Sequence, residues 1–307
     1  MSLIFGINLS DRIYVSADTR LTQKNGDTVI GIKDKIIKIT PFSDDIAAAF
    51  AGNAKMSQFL SQKLTEVIKP EMNIRSLRGD IQKFLSPIID QYWKEMDPSS
   101  AIAIIFGGLN RTEKKKPISG KKIYDLALAH SKTVSASFNL KPTLFNSIFR
   151  ESGQPLRYPE TSDSHVFSVQ IFPPNGFEVE DAEWGQYLAY GAGGITKNTL
   201  DPTIMSRIEF AGSAGQDNAI ITAILGEVVQ RTKEPTISST FFTHVISDDV
   251  SGAITGQIVR VDVNTMQSEI ISDLIIKDGK IYSKLSTGAL EQLTMLHHYK
   301  DFADLKL

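Results

Sequence analysis

Leu3-Ile4-Phe5-Gly6-Ile7, Ile13-Tyr14-Val15-Ser16-Ala17-Asp18-Thr19-Arg20, Val29 to Ile39 and Ile46-Ala47-Ala48-Ala49-Phe50-Ala51-Gly52-Asn53 are the stretch whose reading decides the fold. Leu3 to Leu9 is apolar on both faces apart from Asn8, as expected of a strand covered from both sides. Ser10-Asp11-Arg12 turns the chain, and Ile13 to Ala17 returns as a second strand. Lys24-Asn25-Gly26-Asp27 carries the strongest short-range hairpin signal, Asn-Gly. Val29 to Ile39 and Ile46 to Ala51 read as two further strands. Four strands joined by short turns make an antiparallel sheet.

After Gly52 the apolar period changes from two to nearly four. Met56, Phe59, Leu60, Leu64, Val67 and Ile68 share a helical face until Pro70. Leu77, Ile81, Phe84, Leu85, Ile88, Ile89 and Tyr92 define a second helix, with Pro87 inside it. Ala101 to Phe106 is a central strand ending at Gly107-Gly108. Arg111 to Lys122, with six basic residues, Pro117 and Gly120, reads as an exposed loop before a strand at Tyr124 to Ala129. Ser131 to Ser164 is polar and proline-rich, with room for a short helix at Lys141 to Glu151. Beyond it come a strand at His165 to Ile171 and a turn at Pro173-Pro174-Asn175-Gly176. Two glycine-rich turns follow, and the second leads into a helix over Asp217 to Arg231. Strands at Phe241 to Ile246, Ala253 to Val263 and Glu269 to Tyr282 precede a final amphipathic helix, Ala289 to Phe302. No repeat or linker divides the 307 residues, so the expectation is one domain over 1–307 with an inserted excursion at about 111–164. This order predicts an α+β fold of two sheets with helices outside.

Composition excludes several classes of function. A net charge of −2 leaves no electrostatic footprint for nucleic acid or anionic membrane. The absence of cysteine removes disulfides, thiolate metal sites and a cysteine nucleophile, and fits a reducing cytoplasm. No apolar run is long enough to span a bilayer, and no signal peptide is evident, so the expected location is the cytosol. The five histidines lack metal-ligand spacing, and neither a dinucleotide nor a nucleotide loop occurs. No cofactor and no metal are therefore expected.

Candidate chemistry begins at Ser2. A small second residue permits loss of Met1, which would expose an amine and a hydroxyl on one residue. An α-amino group has a pKa of about 7.7–8.0, so near neutrality it can act as base for that hydroxyl. Lys35, read as lying in a strand beside Ile36 and Ile37, is the candidate ammonium that stabilises developing negative charge; Lys33 on the same face is its rival. Asp18, ending the second strand, either orients that lysine or caps the turn at Thr19. Gly52 precedes a helix, where a backbone N–H can serve an oxyanion.

In this order the residues resemble a proteasome-type β-subunit, including its bacterial relative, the HslV peptidase. The frame is Phe5-Gly6-Ile7, the Ala17-Asp18-Thr19-Arg20 motif, Lys35-Ile36, Ala51-Gly52 and, after two helices, Ile105-Phe106-Gly107-Gly108. It covers about a third of the chain, with serine where the family usually has threonine. The resemblance implies a four-layer αββα sandwich of N-terminal nucleophile (Ntn) hydrolases, with Ser2, Asp18, Lys35 and Gly52 catalytic. Arg20 and Lys33 would support them. The family's supporting turn corresponds to Gly191-Ala192-Gly193 or to Ser213-Ala214-Gly215, which adds Ser213 and Gly215 as supporting residues. It further implies hydrolysis of peptide or protein substrates, assembly of identical subunits into a ring, and an ATP-dependent unfoldase partner. The alternatives are a non-catalytic ring subunit of the same fold, and the same mechanism turned on a small-molecule amide.

Overall fold

The computed structural model describes residues 2–8, 12–25, 28–34, 36–115, 161–174, 176–182, 186–191, 195–196, 237–247, 256–262, 265, 268–277, 280–284, 287, 289–293 and 295. Alternation along one strand shows how these residues are layered. In β6 (Ile46–Gly52), Ala47, Ala49 and Ala51 enter one apolar core, whereas Ile46, Ala48 and Phe50 enter another. A strand whose two faces are both buried lies between two layers.

On the first face, α1 (Ala54–Val67) and α2 (Ile74–Glu95) cover a five-stranded sheet. Each helix starts at an asparagine whose side chain accepts a backbone N–H, Asn53 from Met56 and Asn73 from Ser76. Met56, Leu60 and Leu64 of α1 and Leu77, Ile81, Leu85 and Tyr92 of α2 are buried against that sheet. Its strands run β5 (Ile39–Pro41), β6, β7 (Ile102–Lys115), β8 (Thr161–Phe172) and β9 (Gly176–Ala182), all antiparallel. β7 continues to Lys115, where the sequence reads as a loop: after an irregularity past Asn110, Lys114 and Lys115 pair with Ser162 and Thr161 of β8.

On the second face lies a nine-stranded antiparallel sheet. Its centre is β1 (Leu3–Asn8), β2 (Arg12–Asp18) and β12 (Thr240–Ser247). β10 (Gln186–Gly191) and β11 (Ile195–Thr196) extend it beyond β1. Beyond β12 come β13 (Gly256–Val261), β14 (Ser268–Lys277), β15 (Lys280–Lys284) and β16 (Leu290–Gln292). A separate hairpin, β3 (Leu21–Asn25) and β4 (Thr28–Lys33), is inserted between β2 and β5.

Glycine sets the spacing of the two sheets. A Cβ on Gly6 of β1 would lie 2.6 Å from a methyl of Ile105. A Cβ on Gly107 of β7 would lie 2.7 Å from methyls of both Ile13 and Val15. Each sheet thus offers a glycine to the branched side chains of the other, and Ile4, Ile13, Val15, Ala49, Ile105, Val166 and Phe242 close the core between them.

Expectations of two kinds are corrected, the helical ones first. The expected four-layer αββα sandwich is not what the described residues form: two helices cover one sheet, the fold is mostly antiparallel strand, and no second helical layer stands over the nine-stranded sheet among the described residues. The final helix expected from Ala289 fails at its start, because Leu290 pairs with Lys284 in β16. The leucine spacing there is helical, but a free sheet edge offers a ladder of backbone hydrogen bonds that the spacing does not reveal. Secondly, Val29 to Ile39 is not one strand. β4 ends at Lys33, and β5 begins at Ile39 in a different sheet. The helix expected over Asp217–Arg231, the strand at Tyr124–Ala129 and the helix at Lys141–Glu151 lie outside the described residues. Among the described residues no helix is long and apolar enough to cross a membrane.

A polar cluster fastens α2 to the edge of the five-stranded sheet. Arg75 donates to Asp163 at 2.7 Å, and Arg78 donates to Asp181 at 2.7 Å. His165 lies between the two pairs, its Nδ1 2.9 Å from Arg75 and its Nε2 2.9 Å from Asp181. Guanidinium can only donate, so Nδ1 accepts and the proton sits on Nε2. Burial, with the Arg75 charge beside it, pushes the His165 pKa down, against the opposing pull of Asp181. The folded state therefore binds fewer protons than the unfolded chain once pH falls below the ordinary histidine value of about 6.5. The stability contributed by His165 is complete above that value and is lost as pH falls from there towards the depressed folded pKa.

Two outcomes are expected. Gly107→Ala should cost about 1–3 kcal/mol through overpacking, read as a fall in urea midpoint. Between pH 7.5 and 5.5 the wild-type midpoint should fall further than that of His165→Gln, which keeps a polar side chain but cannot titrate.

Candidate active site

Four segments converge on the side chain of Asp18, at the end of β2. Its Oδ1 accepts the backbone N–H of Leu3 at 2.8 Å and the Lys38 ammonium at 2.8 Å. Its Oδ2 accepts the backbone N–H groups of Arg20 at 3.1 Å and Ser238 at 3.3 Å. The carboxylate is fully buried, and the Lys38 side chain is 1% exposed. A charge pair at this depth persists only when hydrogen bonds replace the lost water, and here backbone donors complete the set around Asp18.

Lys38 makes its second contact with Ser2. Its Nζ donates to Ser2 Oγ at 2.8 Å, the same distance as to Asp18. Ser2 precedes β1 and is itself buried. Burial pulls the Lys38 pKa below its ordinary value, while the charge and hydrogen bond of Asp18 act the other way. Ser2, Lys38 and Asp18 form a buried chain of hydroxyl, ammonium and carboxylate.

The chain reaches this arrangement because it leaves the β3–β4 hairpin at Asp34 and crosses under β2 before joining the other sheet. Ile36 N–H donates to Thr19 O at 2.9 Å, and Phe50 N–H donates to Lys38 O at 3.2 Å. Arg20 spans the crossing: its guanidinium donates to both oxygens of Asp34, at 2.8 and 3.2 Å, and to Ile237 O at 3.5 Å. Arg20 therefore ties the start of the Lys38 segment to the residue before Ser238.

Of the residues expected from sequence, Ser2 and Asp18 are brought together by Lys38. Lys35 lies outside the described residues, as do Ser213 and Gly215. Lys33 ends β4 opposite Leu21 in the hairpin. Gly52 ends β6 opposite Ile102 with φ of 125°, a conformation L side chains rarely adopt, and a Cβ there would meet Ala101 O at 2.6 Å. Glycine is required at that turn on geometric grounds alone. Lys38 went unnoticed in the sequence because reading Val29–Ile39 as one strand drew attention to Lys33 and Lys35. The available signal was a lysine between Ile37 and Ile39, inside an apolar run where an unpaired ammonium is costly.

No protein-family model and none of the curated proteins matches the chain. Among solved structures it is similar to Anbu (ancestral beta-subunit) from Yersinia bercovieri, with a TM-score of 0.51 at 12% identity over 86% of this chain and 89% of that one. An Anbu (Gly-1) mutant from Hyphomicrobium sp. strain MC1 gives a TM-score of 0.49 at 13% identity over 87% and 91%. The first likeness shows the fold alone, which this chain shares with that Anbu (ancestral beta-subunit) protein. It also corrects the expected resemblance to a proteasome-type and HslV-like hydrolase family: this match supports the Anbu fold at low identity and contains nothing specific to HslV. The frame that suggests the family is five pieces of two to four residues each, with Ala17 to Arg20 its most specific, too short to separate one branch of a fold from another.

Asp18→Ala leaves the Lys38 ammonium buried without its counter-charge and removes the acceptor for three backbone N–H groups. The expected loss is about 3–5 kcal/mol of unfolding free energy, measured by urea denaturation. A loss below about 1 kcal/mol would show that the pair does not exist in the folded protein.

Proposed function

We propose that the protein is an N-terminal nucleophile hydrolase that cleaves amide bonds with Ser2, using Lys38 and Asp18 to set the charge around it. The observation that carries this reading is the buried contact of the Lys38 ammonium with both Ser2 Oγ and the Asp18 carboxylate. Structural lysines pair with carboxylates at many sites. A lysine that also donates to a serine hydroxyl, next to the chain start, has a chemical use.

Catalysis requires a free amine on Ser2, and hence removal of Met1. That amine takes the Oγ proton as Oγ attacks the substrate carbonyl carbon. The carbonyl π electrons move to oxygen, and the resulting oxyanion lies within the role assigned to the Gly52 N–H. The Lys38 ammonium stabilises the developing charge on Oγ, and Asp18 holds that ammonium in place. Collapse of the tetrahedral adduct breaks the C–N bond, with the proton passing from the Ser2 ammonium to the leaving amine. An ester on Ser2 remains. Water, deprotonated by the same amine, hydrolyses the ester and restores Oγ. Each step uses groups of this chain alone, with water as the only co-reactant. Peptides are the leading substrate class and small-molecule amides the alternative. Assembly of identical subunits is part of the proposal and draws support from the Anbu fold.

One observation favours the competing reading, a non-catalytic subunit. The Asp18 carboxylate joins β1, β2, the Lys38 segment and the 237–238 segment, so the ion pair has a structural task whether or not Ser2 reacts.

The discriminating test is labelling by a peptide β-lactone, with the adduct located by peptide mapping. Wild-type protein should carry the adduct on Ser2, and Ser2→Ala should carry none. Lys38→Met should lower the labelling rate by about 100-fold or more, the scale of a lost charge-stabilising contact, while Lys35→Ala should keep it. Equal labelling of wild type and Ser2→Ala would remove the enzyme reading and leave the structural subunit.

A further inference from the structure

Lys38 does not lie within a strand, since β4 has ended at Lys33 and β5 starts at Ile39, and its carbonyl is held to β6 by the Phe50 N–H at 3.2 Å. What holds the crossing segment is a small set of contacts, and one of them comes from the far end of the molecule. Ile37, immediately before Lys38, forms a parallel bridge with Met295. All the strand pairs of the three sheets are antiparallel, which sets this bridge apart from the ladders.

The bridge is buried and well packed. Ile37 and Met295 are 4% and 0% exposed, in one apolar core with Ala17, Leu274, Ile276 and Ile281. Ala17 is the residue before Asp18, and the other three belong to β14 and β15. Two residues before Met295, Leu293 N–H donates to Ile281 O at 2.8 Å, which anchors the segment to β15. The strands β13 to β16 therefore end by passing their chain back beneath the Lys38 crossing. Met295, buried at the end of this run of described residues, bridges to the residue before Lys38.

We propose that the C-terminal segment, through Met295 against Ile37, is a positioning element of the active site that sets Lys38 Nζ between Ser2 Oγ and Asp18. The inference rests on the assignment of Lys38 to catalysis made above. Met295 touches no reacting atom in this scheme; it acts through Ile37 on the placement of Lys38. The chemical reason is distance. Nζ reaches two partners at 2.8 Å each, and a displacement of the main chain by about 1 Å costs on the order of 100-fold in such a contact. Truncating a methionine in this core also leaves a cavity beside Ile37 into which the segment carrying Lys38 can relax.

The test combines two readouts on Met295→Ala and Met295→Leu. The first is the rate constant for acylation of Ser2 by the peptide β-lactone across pH, separated from the binding constant of the same probe. The second is the titration of the Lys38 side chain by NMR with ¹³C-labelled lysine, its signal assigned by its absence in Lys38→Arg. Met295→Ala should slow acylation by about 10- to 100-fold with little change in probe binding. It should also move the Lys38 titration up towards the ordinary lysine range. Met295→Leu, which refills the volume, should restore both. Ile37→Val, a one-methylene change that should fold, is expected to shift both readouts in the same direction by a smaller amount.

A lower melting temperature with unchanged Lys38 titration and an unchanged acylation profile would overturn the proposal and leave Met295 as core alone. If wild-type Ser2 is never acylated, the hydrolase reading fails. The Lys38 titration in the Met295 and Ile37 variants still decides whether the C-terminal segment positions that lysine.

Discussion

One buried carboxylate holds the molecule's organisation together. Asp18 collects donors from the chain start, from its own strand end, from the crossing segment and from the turn before β12. None of those four segments lies next to another in sequence except Asp18 and Arg20. Desolvating a carboxylate and an ammonium costs several kcal/mol per ion, and only a full set of hydrogen bonds offsets it. The pair is stable only if β1, β2, the Lys38 crossing and residues 237–238 are all in place at once. The same requirement that fixes the fold at this point also presents Ser2 Oγ to a cation in a dry setting, where electrostatic effects on a nucleophile are largest.

The two sheets supply the rigidity that this geometry needs. Gly6 and Gly107 let branched side chains of the opposite sheet come within contact of the main chain, so β1 and β2 cannot slide over β7 without a clash. The crossing segment bridges the sheets at this tight seam, and its main-chain bonds reach Thr19 on one side and Phe50 on the other. The chain from β13 to Met295 closes the seam from outside. β14 and β15 thereby share a core with the residues flanking the site.

Much of this was legible from residues alone, and the limits have physical causes. β1 was readable because Leu3 to Ile7 is apolar on both faces, and both faces are in fact buried. α1 was readable because its apolar residues recur at helical spacing between Asn53 and Pro70. Ser2 stands out for its place behind Met1, and Asp18 for its place at the end of the second strand. Lys38 does not, since β4 ends at Lys33 and β5 starts only at Ile39, and period-two alternation has no meaning across a break. The C-terminal run misled for a related reason: Leu290, Leu293 and Leu296 have helical spacing, yet a neighbouring strand edge captured Leu290. Local pattern reports what a segment can do; the available partner decides between the options.

The central claim is that Ser2 carries a free amine beside the Lys38 ammonium. Mass spectrometry of the N-terminal tryptic peptide, from protein isolated in its native host, tests this most directly. The expected peptide runs from Ser2 to Arg12 with an unmodified amine. A peptide that retains Met1, or one whose serine amine is acetylated, would leave the hydroxyl without its base and would contradict the mechanism.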